Sequence, residues 1–157
     1  MDPILKLLII LFPIVSISIV GEYFPVQRLN YKPRFQPPDW VFGVVWTYVT
    51  LAFGYITSQA FSGNIPLEKQ HYVLLMYFNI LFLLNYWLVV NSKKDYKTGF
   101  YVLLSSLFLS VIYVVYLSSI FTEYKASGYK LVLGLLPLPF WLGIATSLNA
   151  CIYDNYG

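Results

Sequence analysis

Near the C-terminal end, Pro137, Trp141, Ala145 and Asn149 are spaced four apart, with Leu148 beside them. Residues four apart share one face of a helix. On such a face Trp141 can stack on a flat ligand, Ala145 leaves room for it, and Asn149 offers both a hydrogen-bond donor and an acceptor. A plainer meaning of the same spacing is that Ala145 and Ser147 let helices approach while Asn149 bonds across to a neighbour. Both readings turn this face inward. A second stripe, Phe42, Trp46, Val49 and Phe53, recurs at four, three and four residues and makes one aromatic face, for which packing is the default role. Asn79 and Asn85 also lie in apolar surroundings. Six residues turn a helix by about 600°, so these two amides point about 120° apart and do not serve one ligand together.

Catalysis finds no agent. His71 is the one histidine and falls at the end of an apolar stretch. The serines at 105, 106, 110, 118 and 119 have no base beside them, and no apolar stretch carries an internal carboxylate for acid–base work. Cys151 is the lone cysteine, which excludes an intrachain disulfide and a thiolate metal cluster. Neither metal-ligand spacing nor a phosphate-cradling glycine loop is present. The chemistry expected is binding, with no catalytic or metal-ligating residue and no required cofactor.

Five apolar stretches must position these groups: Pro3–Val20, Trp40–Phe61, His71–Val90, Gly99–Phe121 and Tyr129–Ile152. A hydrocarbon core ~30 Å thick takes about 20 residues at 1.5 Å rise. Charged residues are only 11% of the chain, against about a quarter in soluble domains, and mean hydropathy is +0.66. The expected fold is all-α, an integral membrane bundle of five transmembrane helices forming a single domain over residues 1–157. Backbone groups in lipid must bond internally, which favours helices, and the alternation of a membrane barrel is absent. The first stretch exceeds a signal-peptide core of 7–15 residues and lacks a small-residue cleavage site, so it reads as a helix. Pro13 should kink it, and Pro137 with Pro139 should distort the early part of the fifth.

The charges mark the loops, and the net charge of +3 reads as interfacial anchoring rather than nucleic-acid binding. One side of the bilayer would hold six Lys/Arg (Arg28, Lys32, Arg34, Lys93, Lys94, Lys97) and the other four (Lys6, Lys69, Lys125, Lys130). By the positive-inside rule the C-terminus is cytoplasmic. Trp40, Tyr72, Tyr101 and Tyr129 fit an aromatic belt, and Gly99, Ser105 and Ser106 would let a second copy approach.

Residues 32–47 read KPRFQPPDWVFGVVWT. Pro37 and Pro38 force an extended entry, and Asp39 can cap the helix that follows. This segment resembles the translocator protein family, the tryptophan-rich sensory proteins or peripheral benzodiazepine receptors, whose pattern is K-P-x-W-x-P-P-x-W-x-F-G-P-V-W-T. Phe35 and Val44 depart from it. The family's last helix, P-Y-L-x-W-x-x-F-A-x-x-L-N-x-x-I, is matched by Pro137, Trp141, Ala145, Leu148, Asn149 and Ile152, with Asn155 beyond. Leu138 replaces the tyrosine. In the third stretch Trp87 stands one position early against L-N-x-x-W-[ST], which leaves Leu88 at the tryptophan site.

The resemblance implies a five-helix bundle, often a homodimer, with a pocket open toward the long first loop. Such proteins bind porphyrins, sterols in animals, and benzodiazepine-site ligands. Carried over, the pocket residues are Trp46, Trp141, Ala145, Leu148 and Asn149, with Phe42, Asn85 and Trp87 as further candidates. Arg28, Lys32 and Arg34 would meet propionates. The expected ligand is protoporphyrin IX or a haem-like tetrapyrrole, ahead of a sterol, because the basic residue of the animal C-terminal sterol motif is missing. Alternatives are sterol binding and transport, light-dependent porphyrin degradation, and a scaffold without a ligand. In an animal host the resemblance implies the mitochondrial outer membrane.

Overall fold

The computed structural model describes residues 2–25, 39–61, 65–124 and 129–156. Its elements are α1 (Pro3–Tyr23), α2 (Asp39–Gln59), α3 (Leu67–Ser92), α4 (Tyr96–Glu123), a 3-10 segment (Tyr129–Leu135) and α5 (Pro137–Tyr156). Five of the helices are long and apolar enough to cross a membrane, and no strand occurs among the described residues. The protein is therefore an all-α, multi-pass membrane bundle. Helices α3 and α4 run past the apolar stretches into charged residues. Pro66 opens α3 with Glu68 in its first turn, where an acid suits the positive helix end. Asp95 caps α4 by accepting from the Thr98 amide at 3.1 Å. Hydrogen bonds from Thr98 hold the Asp95 carboxyl below the usual carboxylate range.

The fifth stretch differs from its expected form. Its first residues wind as the 3-10 segment, and Pro137 opens α5 instead of distorting it. A proline in the first helical turn gives up an N–H that has no partner there anyway. The Tyr48 hydroxyl of α2 donates to the Gly134 carbonyl at 2.9 Å and holds the segment in place.

Packing runs α2–α1–α3–α4–α5, with the 3-10 segment against α2 and α4; the direct α2–α5 contact is slender by comparison. Helix α1 sits outermost. It leaves Ile4, Leu7, Leu8, Leu11 and Val15 exposed, an apolar face suited to lipid. Gly54 lets α2 approach it, since a Cβ there would lie 2.8 Å from the Ile10 carbonyl carbon. At the centre Phe53 stacks on Tyr77 at 5.1 Å and meets Tyr113 edge-on at 5.5 Å, while Tyr113 and Thr57 share a buried hydrogen bond.

Pro13 has no N–H to give to the carbonyl four residues back, Ile9. The Tyr77 hydroxyl of α3 donates to that carbonyl at 2.7 Å and restores the bond between helices. The notion that Gly99 and Ser106 face a second copy is corrected: both are buried inside this bundle, and only Ser105 of the three faces outward. Tyr77→Phe strands the Ile9 carbonyl in an apolar interior, so we expect a loss of about 1–3 kcal/mol. Thermal unfolding in detergent measures it, and an unchanged midpoint would remove Tyr77 from this role.

Candidate functional site

Helix α5 carries two interhelical arrangements on its inward face, eight residues or about 12 Å apart. The one nearer the N-terminal end of α5 is aromatic. Trp141, only 4% exposed, meets Phe42 edge-to-face with ring centroids 5.1 Å apart and Trp46 at 6.4 Å. These three rings bridge α2 and α5 at the slender seam. The indole N–H of Trp141 is buried and finds no acceptor among the described residues. A donor left unsatisfied in an apolar interior costs about 1–3 kcal/mol, which an acceptor atom placed there would recover.

The second arrangement is a polar clamp. Asn149, buried in α5, accepts a hydrogen bond from the Trp87 indole N–H of α3 at 3.1 Å and donates one to the Tyr96 carbonyl at the start of α4 at 2.7 Å. One amide thus ties three helices. Gly99 makes room for it: a Cβ there would sit 3.1 Å from Asn149 Oδ1 and 3.4 Å from the Trp87 ring. An amide has two N–H bonds and two lone pairs, so each half keeps capacity for one more partner.

The remaining candidates are placed as follows. Ala145 is half-buried and packs against the core, midway between Trp141 and Asn149, and Leu148 is buried. Leu88 turns into the interior, whereas Trp87 turns toward Asn149, so the one-residue shift supplies the clamp's donor. Asn85 is not brought to this face. It donates to the Leu81 carbonyl at 3.0 Å and to Ser16 Oγ of α1 at 3.4 Å, on the α1–α3 side. Asn79 is exposed and back-bonded to Leu75, apart from Asn85. Arg28, Lys32 and Arg34 lie outside the described residues.

Sequence reasoning gave Gly99 no part in the site and did not mention the Tyr96 carbonyl. A backbone acceptor leaves no mark in residue type. Gly99 is a small residue in an apolar helix, a signal that fits any close contact.

Fold and site define a polytopic membrane protein with an aromatic seam between two of its five helices. The chain belongs to the TspO/MBR family, whose sequence profile matches residues 8–154. It is 29% identical over 157 residues to the tryptophan-rich protein TspO of Archaeoglobus fulgidus, with 96% of each chain covered. At the level of the family this means membrane-embedded ligand binding or sensing, of a binding or transport type rather than that of a conventional enzyme.

Asn149→Ala should cost about 2–3 kcal/mol, because it strands both the Trp87 N–H and the Tyr96 carbonyl, and Trp87→Phe about 1 kcal/mol. Unfolding of the two single variants and the double variant checks this. Strictly additive losses would mean that the two residues do not act together.

Proposed function

We propose that this protein binds a flat, apolar tetrapyrrole such as protoporphyrin IX between α2 and α5, with Trp46, Phe42 and Trp141 as stacking surfaces, and that it acts in transport or sensing of that ligand. The observation that carries this reading is the buried Trp141 N–H, without an acceptor among the described residues, at the slender seam between α2 and α5. A carbonyl or a ring nitrogen of a ligand would satisfy it, and the indoles and Phe42 would cover the macrocycle faces. Ala145 provides width one turn further along α5. The Asn149 clamp bounds the site at the α4 end, and its spare donor can meet a polar edge.

Arg28, Lys32 and Arg34 are assigned to propionate recognition on their charge alone. A sterol is the second ligand class, less suited because it offers no flat π-face to two indoles. We also place the C-terminus in the cytoplasm on the six-to-four distribution of Lys/Arg.

Titration of the detergent-purified protein with protoporphyrin IX in the dark, followed by tryptophan fluorescence, tests the proposal. We expect saturable quenching, weakened about tenfold in Trp141→Phe through the lost hydrogen bond and stacking. Non-saturating quenching that is equal in both proteins would overturn porphyrin binding. Saturable displacement of a fluorescent sterol, with no porphyrin response, would reassign the seam.

A further inference from the structure

A hydroxyl in a membrane helix satisfies its one donor by bonding back to a carbonyl three or four residues earlier. The exposed Ser18, Thr47 and Ser147 all do so. A carboxamide cannot be satisfied in this way, because it carries two N–H bonds and two lone pairs. Of the asparagines at 79, 85, 91 and 149, Asn91 and Asn149 are buried and Asn85 is half-buried, whereas Asn79 is exposed. Its Nδ2 donates to the Leu75 carbonyl at 2.7 Å. The second N–H and Oδ1 have no partner among the described residues.

Asn79 is the thirteenth of the 26 residues of α3 and so lies at the middle of the span. Hydrocarbon offers neither donor nor acceptor at that depth, and an amide left facing it is costly. The surface around it is regular. Tyr72, Leu75, Asn79, Phe82 and Tyr86 follow at intervals of three, four, three and four, the spacing that forms a two-helix seam. All five are exposed, Leu75 by 61% and Phe82 by 66%. They lie on the side of α3 away from the packed Val73, Tyr77, Ile80 and Leu84.

We propose that this stripe pairs with the same stripe on a second copy of the chain. Copies inserted in one direction hold α3 at one depth, because span length ties each helix to the bilayer. A two-fold axis along the membrane normal then sets Asn79 opposite Asn79. Each amide gives its spare N–H to the Oδ1 of the other, and Leu75 and Phe82 close over the pair from either side. An unrelated helix would have to bring both a donor and an acceptor to that depth, whereas a second copy does so by symmetry. A single amide within an apolar seam also fixes register and the number of helices that meet. The contact uses the outer face of α3 and does not depend on the tetrapyrrole reading.

Cross-linking and self-association of the full chain in phosphatidylcholine vesicles test it. In a Cys151→Ser background, oxidation should join Phe82→Cys into a dimer and leave Phe108→Cys, at a 63% exposed position of α4, monomeric. Förster transfer between donor- and acceptor-labelled copies, followed as added lipid dilutes the protein, measures the affinity. We expect association about tenfold weaker in Asn79→Leu and retained in Asn79→Gln. Among the described residues Asn79 bonds only within its own helix, so both variants should keep the bundle intact. Unchanged association in Asn79→Leu, or cross-linking at Phe108→Cys in preference to Phe82→Cys, would overturn the interface. A monomer at every protein density would overturn the pairing altogether.

Discussion

A polar group inside a bilayer has no water to turn to, and that constraint decides where this bundle is fastened. Pro13 frees the Ile9 carbonyl, and Tyr77 takes it from another helix. Asn149 binds α5 to both α3 and α4 through one amide. Thr57 and Tyr113 join α2 to α4, and Tyr48 reaches the Gly134 carbonyl of the 3-10 segment. Each fastening is a donor and an acceptor that would otherwise be stranded at a cost of about 1–3 kcal/mol apiece. Helix–helix attraction in lipid lacks a hydrophobic drive, so such pairs and close packing fix the arrangement.

The seam between α2 and α5 is built differently. Its contact is carried chiefly by Phe42, Trp46 and Trp141, whose edge-to-face pairs are worth about 0.5–1.5 kcal/mol each. Parting these rings strands no carbonyl, and the Trp141 N–H is already without a partner among the described residues. A ligand that slides between the rings exchanges ring–ring contact for ring–ligand contact and can supply the missing acceptor. On the proposed reading, this apolar seam among polar fastenings is where a ligand enters.

The five helices were legible because span length and apolar content report directly on bilayer thickness. The inward face of α5 was legible too, since a spacing of four fixes which residues point together. The partners across each seam were not. That Asn149 would meet Trp87 and the Tyr96 carbonyl depends on the rotation and depth of three helices, which no single helix encodes. Pro137 was read as a distortion because a 3-10 lead-in and a helix have similar composition, and only the hydrogen bonds tell them apart. Gly99 and Ser106 suggested an outer contact, although burial inside one chain and burial between two copies select the same small residues.

The measurement that tests this account most directly is a distance across the seam. In a Cys151→Ser background, nitroxide labels at Val44 of α2 and Ser147 of α5, both exposed, would be followed by pulsed electron spin resonance with and without saturating protoporphyrin IX. The account predicts a longer α2–α5 separation with ligand, while a label pair spanning the Asn149 clamp from α4 to α5 stays fixed. An unchanged α2–α5 distance at full occupancy would contradict it and move the ligand elsewhere in the bundle.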